Sequence, residues 1–357
     1  MTPETPALQS LLLHCRPGFE KECAAEIQAQ AQSLDIAGYA KAKPDSGYVL
    51  FTPCEEAGMA VLHKQLRFAD LCFARQMVAV LPLMSDLPVD DRIGPLLAAA
   101  AGLSRQFSDV WLETADTNEA KELSVFTRKF QGPMTRALVD AGLATAKESA
   151  PRLHLFFLNS TTVYVGLSRP GNSSPWPMGI IRLKFPRAAP SRSTLKLEEA
   201  FLFYLGEEPK SLQPGMKAVD LGAAPGGWTW QLVKRSIRVT AVDNGPMDPA
   251  LMESGIVEHL RADGFRYLPA KPVDWLVCDM VEQPARIAAL VGRWLAGGHC
   301  RQAMFNLKLP MKKRYEELKR CRDIIEVALD DAEVPFQLRF KQLYHDREEV
   351  TGYLARL

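Results

Sequence analysis

The chain has 357 residues, more than one small core needs, so two or three domains are expected. Hydrophobic residues make up 47% and charged residues 24%, the composition of an ordinary globular protein, and a formal net charge of +1 means that the chain as a whole does not advertise nucleic-acid binding. No apolar run approaches the roughly 20 residues that span a bilayer, and the polar opening Met-Thr-Pro-Glu-Thr-Pro is no signal peptide, so a cytoplasmic protein without a membrane partner is expected.

In chain order, residues 8–14 read as a strand, Pro17 and Gly18 start a helix over 19–32, and 47–52 read as another strand. A helix over 55–68 and a strand over 73–83 complete what looks like a small open-faced α+β sandwich. A helix near 93–101, a strand at 110–114, a helical stretch over 120–141 and strands at 153–158 and 162–167 form a second set. Asn159 and Ser160 separate the last two strands as a hairpin turn would.

Residues 170–190 carry five prolines, which disfavour helix and central strand alike, and divide the chain in two. Downstream, strands at 218–221, 239–243, 257–261, 275–279 and 303–308 alternate with helices at 228–235, 249–254, 284–295 and 314–329. Such βαβ alternation predicts a mainly parallel sheet with ligand sites at the carboxyl ends of its strands. The segments 337–343 and 349–357 resemble a strand pair closing that sheet.

The most informative string is Val-Asp-Leu-Gly-Ala-Ala-Pro-Gly-Gly-Trp at 219–228. A strand ending at Asp220 and Leu221 meets a turn of Gly222, Ala223, Ala224, Pro225, Gly226 and Gly227 and opens into a helix, the first unit of a nucleoside-binding α/β fold. Small residues are needed there because a ligand lying across the strand end must touch backbone. The pyrophosphate fingerprint Gly-x-Gly-x-x-Gly is absent, since Ala224 stands at its second glycine and a proline follows. The Ala-Pro-Gly-Gly-Trp string instead resembles the S-adenosylmethionine loop of FtsJ-type RNA 2′-O-methyltransferases.

Acidic residues terminate several strands. Asp243 lies about 20 residues beyond the glycine turn, where a carboxylate accepts from both ribose hydroxyls, and Asp263 is positioned to accept from an adenine amino group. Either is alternatively a turn or cap aspartate. Asp279 ends the fourth strand at the edge of the methyl-donor pocket and Lys308 ends the fifth, a pairing that by itself is usually only a salt bridge. With Lys196 before the sheet and Glu349 at its end, the four match in order and context the Lys-Asp-Lys-Glu tetrad of the FtsJ-like enzymes. Glu348 competes with Glu349 for the last place.

A ribose 2′-hydroxyl is a poor nucleophile and must be aligned and deprotonated as the new bond forms. Lys308 is the candidate base. A second ammonium, Lys196, together with desolvation would push it toward neutrality, while Asp279 opposes that shift and orients it, and Glu349 holds Lys196. No metal is required, because the methyl donor already carries a positive sulfur. The cysteines at 15, 23, 54, 72, 278, 300 and 321 and the histidines at 14, 63, 154, 259, 299 and 345 show neither Cys-x-x-Cys nor His-x-x-x-His spacing. Charge is concentrated in two places. Arg182, Lys184, Arg187, Arg192 and Lys196 have no acid among them, and Lys312, Lys313, Arg314, Lys319 and Arg320 follow Lys308, although Glu316 and Glu317 make a solvated helix face an equal reading of the second cluster.

The segments PSRSTLKLEEAF at 190–201, NLKLPMKKRYEE at 306–317 and YHDREEVT at 344–351, around the AAPGGW loop, are similar over the whole chain to the RlmM family of bacterial methyltransferases acting on a cytidine 2′-hydroxyl in 23S ribosomal RNA. That resemblance implies a ferredoxin-like α+β domain at 1–84, a THUMP RNA-binding domain at 85–169, the proline-rich linker at 170–190 and a Rossmann-like α/β methyltransferase domain at 191–357. It also implies S-adenosylmethionine as cofactor, held by Ser191, Gly222, Ala224, Pro225, Gly226, Gly227, Asp243, Asp263 and Asp279, and Lys196, Asp279, Lys308 and Glu349 as catalytic residues. The residues alone leave Ser191 or Ser193 as a helix cap. The implied partner is 23S rRNA or a large-subunit precursor, bound by a monomer. Two other readings stay open: a methyltransferase for another structured RNA such as tRNA, and a non-catalytic RNA-binding assembly factor.

Overall fold

A computed structural model describes residues 7–207 and 209–357; the opening hexapeptide, read above as no signal peptide, lies outside them. The chain divides into two compact units, Met1–Ile181 and Arg182–Leu357. Among the described residues no helix is long and apolar enough to cross a membrane.

The first unit contains β1 (Ser10–His14), α1 (Glu20–Ser33), β2 (Gly38–Ala42), β3 (Tyr48–Pro53), α2 (Glu56–Gln65), β4 (Gln76–Val80), α3 (Ile93–Leu103), β5 (Asp109–Glu113), α4 (Lys121–Asp140), β6 (Arg152–Asn159) and β7 (Thr162–Ser168). The two α+β sets share one seven-stranded sheet in the order β2-β3-β1-β4-β7-β6-β5, joined where Ala79 and Val80 of β4 pair with Leu167 and Gly166 of β7. Strand β2 has no counterpart in the sequence reading. Its Gly-Tyr-Ala-Lys-Ala is a largely exposed edge without apolar alternation, and only pairing with β3 makes it a strand.

The second unit contains α5 (Thr194–Leu205), β8 (Lys217–Leu221), α6 (Gly227–Val233), β9 (Arg238–Val242), α7 (Pro249–Glu253), β10 (Val257–Leu260), β11 (Val273–Cys278), α8 (Pro284–Ala296), β12 (Cys300–Lys308), α9 (Arg314–Asp330), β13 (Phe336–Lys341) and β14 (Glu349–Arg356). Its sheet runs β10-β9-β8-β11-β12-β14-β13, parallel through β12 and antiparallel over the last two pairings. The central strands β8, β11 and β12 are buried along most of their length, as a sheet covered on both faces requires, while β10 at the edge buries only Val257. Chain order reverses at β8, so β8 and β11 flank the crevice where ligands of such sheets bind.

One face of this sheet positions the site. Leu197, Ala200, Phe201 and Tyr204 form an i, i+3, i+4, i+7 stripe along α5 and pack with Trp228 and Leu232 of α6 over Trp275 and Val277 of β11, Met304 of β12 and Tyr353 of β14. Side chains alternate along a strand, so Asn306 and Lys308 share the face of Met304, while Glu349 and Thr351 share that of Tyr353. The antiparallel register pairs Lys308 with Glu349, Asn306 with Thr351 and Met304 with Tyr353.

Candidate active site

Four charged side chains converge at the carboxyl ends of β11 and β12. Lys196 lies on the first turn of α5, where a cation faces the positive end of the helix dipole and needs anionic partners. Its Nζ donates to Oε2 of Glu349 and to Oδ2 of Asp279, the latter at 3.4 Å. Oε1 of the same Glu349 lies 3.8 Å from Nζ of Lys308, so one carboxylate bridges both lysines. Asp279 forms its ion pair with Lys196, although the sequence reading had it orienting Lys308. Glu348 points elsewhere: it is 61% exposed and lies 3.6 Å from Arg314, whereas Glu349 is 14% exposed.

Burial works against each charge here, and the partners decide the outcome. Burial pulls Lys196 down, but Asp279 and Glu349 outweigh it and hold the ammonium above its ordinary range, so Lys196 stays charged. Burial raises Asp279 and Glu349 adds to that, while Lys196 and Lys308 oppose it without cancelling it.

The glycine turn after β8 has the shape of a cradle. Gly222 sits at φ +77°, and a Cβ there would meet Met280 Cγ at 2.6 Å; Gly226 sits at φ +118°. The Ala224–Pro225 peptide is cis. Asp243 ties down the turn by accepting from Ala224 N at 3.0 Å and Gly245 N at 2.7 Å, and each carboxylate oxygen retains a further lone pair. Ser191 lies against the cradle, its Oγ 2.3 Å from where a Cβ on Gly227 would stand. Ser193 occupies the N-cap position of α5 without making a side-chain cap, and its hydroxyl bonds to that of Ser191 at 2.7 Å, so neither serine takes the capping role left open above. Asp263 accepts from Phe265 N at 2.9 Å and is 53% exposed, while a Cβ on the next residue, Gly264, would lie 3.1 Å from Met280 Sδ beside the turn.

Some residues of the site carry no sequence signal. Asp220 is fully buried under the turn, accepts from Thr229 Oγ1 at 2.7 Å, and burial pushes its carboxyl up to about 7. Asn306 donates its amide hydrogens to Oδ1 of Asp279 at 3.0 Å and to Oε2 of Glu349 at 3.2 Å. In the sequence both read only as strand residues. The cationic clusters differ from each other: Arg320 and Arg322 pair with Glu317 and Glu326, and Lys319 covers Tyr315, while Lys312 and Lys313 stand exposed just beyond Lys308. Arg182, Lys184, Arg187 and Arg192 are all exposed.

A parallel sheet reversing at a glycine turn, with an acid on the next strand, is a Rossmann-like nucleoside-binding fold, and residues 189–322 match the FtsJ-like methyltransferase family, which makes its class a methyltransferase. Residues 8–78 match the RlmM ferredoxin-like domain and 91–169 the N-terminal region of ribosomal RNA large subunit methyltransferase M. The chain is 62% identical to ribosomal RNA large subunit methyltransferase M of Methylococcus capsulatus over 97% of both chains. It is 55% identical to the protein of that name from Cellvibrio japonicus, over 97% of this chain and 99% of the other. The chain belongs to the ribosomal RNA large subunit methyltransferase M family and is an enzyme of the methyltransferase class.

Proposed function

We propose that this enzyme transfers the methyl group of S-adenosylmethionine to the ribose 2′-hydroxyl of a cytidine in 23S ribosomal RNA. The observation that carries the reading is the convergence of Lys196, Asp279, Lys308 and Glu349, drawn from positions up to 153 residues apart, with Met280, the neighbour of Asp279, against Gly222 of the turn. The names of the relatives support a large-subunit rRNA substrate, and the sequence resemblance supports the cytidine 2′-oxygen.

The turn fits an adenosyl ligand through Asp243, whose carboxylate oxygens each accept one backbone N–H of the turn and retain lone pairs for ribose hydroxyls. Bound there, S-adenosylmethionine supplies a methyl group on a positively charged sulfur. The methyl group would pass from that sulfur to the 2′-oxygen, and Lys308, in its unprotonated amine form, would take the hydroxyl proton on Nζ. Lys196, held charged, steers the hydroxyl oxygen, and Glu349 fixes both lysines at once. We read residues 1–84 and 85–169 as ferredoxin-like and THUMP modules that position the RNA through phosphate contacts, and the protein as a cytoplasmic monomer acting on 23S rRNA or its precursor.

The test is transfer of labelled methyl to unmodified 23S rRNA and to bulk tRNA, followed by nuclease digestion. Label in 2′-O-methylcytidine from 23S rRNA alone supports the proposal. Label in tRNA moves the substrate to another RNA, and no label despite cofactor binding makes the protein a binding factor.

A further inference from the structure

We propose that Asn306 is a positioning residue of the tetrad, and that its orientation is set through Thr351 by a proton resident on the buried Asp346. The inference rests on the tetrad being the site of methyl transfer, and it follows from counting hydrogens. Asn306 faces two carboxylates, Asp279 Oδ1 at 3.0 Å and Glu349 Oε2 at 3.2 Å. Both are acceptors, so the amide must turn its NH2 toward them and its carbonyl away.

That carbonyl meets Thr351 Oγ1 at 2.8 Å. A carbonyl only accepts, so the one hydrogen of the Thr351 hydroxyl is spent on Asn306. The same Oγ1 lies 2.9 Å from Oδ2 of Asp346. With its hydrogen committed, Thr351 can only accept there, and Asp346 must donate, which requires a neutral carboxylic acid. The reverse assignment would place two acceptors face to face in a site where Asn306, Thr351 and Asp346 are each fully buried. Burial, with Glu199 and Glu349 nearby, also pushes the Asp346 carboxyl well above its ordinary range.

The chain of bonds is anchored on α5. Glu199 of α5, itself buried, accepts from the backbone N–H groups of Tyr344 and His345 at 2.8 Å each and contacts His345 Nδ1 at 2.6 Å. Asp346 Oδ2 also accepts from Leu343 N at 3.1 Å, which a hydroxyl oxygen can do while donating. The 343–346 turn is thereby fastened to the helix that carries Lys196. Asn306 holds Asp279 and Glu349 apart from each other and each toward Lys196, so a loosened amide would spread the two acids without removing any charge.

The experiment measures kcat and KM for 23S rRNA and the dissociation constant for S-adenosylmethionine in wild type, Thr351→Val, Thr351→Ser and Asn306→Ala. Thr351→Val and Asn306→Ala are expected to lower kcat about 10–100-fold, Asn306→Ala by removing its bonds to the two carboxylates and Thr351→Val by releasing the amide that makes them, with KM and cofactor affinity within about threefold. Thr351→Ser, which keeps the hydroxyl, should return kcat to within about threefold of wild type. Unchanged kcat in Thr351→Val, or equal loss in Thr351→Ser, overturns the positioning role; a wild type that transfers no methyl at all overturns the proposed function as well. The proton is read separately, as a protonated-carboxyl carbonyl band present in infrared spectra of the wild type and missing in Asp346→Asn. No difference at that band in folded Asp346→Asn overturns the neutral acid.

Discussion

Lys308 and Glu349 are cross-strand partners in the β12–β14 ladder, and their charged atoms meet at 3.8 Å. A register slip of one residue would turn either side chain to the opposite face of the sheet, so the pairing of two buried strands fixes the spacing of the site. Lys308→Ala is expected to lower methyl transfer about 10²–10⁴-fold while leaving cofactor affinity unchanged. Lys308→Arg should be equally inactive, because a guanidinium keeps its proton at working pH. Single-turnover assays with calorimetry check both, and turnover retained in Lys308→Ala would remove Lys308 as the base.

Adjacent glutamates separate a site role from a surface role. Glu349→Gln takes the charge from an acid that contacts both lysines, and a loss of about 10–100-fold in kcat is expected for charged hydrogen bonds of this kind. Glu348→Gln removes the charge from a side chain that is 61% exposed and 3.6 Å from Arg314, and should change kcat by less than about twofold. Equal effects of the two substitutions would refute the placement.

Asp243 both holds the cradle and faces the proposed adenosyl ribose. Asp243→Ala should weaken S-adenosylmethionine binding about 10–100-fold in calorimetry, through loss of the bonds from Ala224 N and Gly245 N as well as of ligand contacts. An unchanged dissociation constant would contradict the assignment.

Gly222 tests the cradle from the backbone side. At φ +77°, with Met280 Cγ 2.6 Å from an added Cβ, Gly222→Ala is strained twice over. Chemical denaturation should show a loss of about 1–3 kcal/mol, accompanied by weaker cofactor binding.

The first unit carries an acid-sensitive group. His14 is buried, and burial lowers its ring from 6.5 to about 4, with His154 and Arg75 acting in the same direction and Glu113 against them. Between those values the unfolded chain binds a proton that the folded chain does not. Stability therefore rises with pH from about 4 to about 6.5, and is lost as acid is added through that window. The slope integrates to roughly 3 kcal/mol. Denaturation midpoints across the window should follow it, and His14→Gln should flatten it.

Local sequence determined the elements and the cradle, because strand alternation, glycine conformational freedom and the small side chains of 222–227 are properties of neighbours along the chain. The same local reading missed β2, whose exposed residues become a strand only against β3. It also left the two α+β sets separate, although β4 pairs with β7 across more than 80 residues. Lys196, Asp279, Lys308 and Glu349 were legible by resemblance to a known motif, yet their partners were not. Only the folded sheet puts Asp279 on Lys196, sets Glu349 between two lysines and places Asn306 beneath them. Those contacts depend on strand order and register across up to 153 positions, and no pattern within a stretch of chain encodes that.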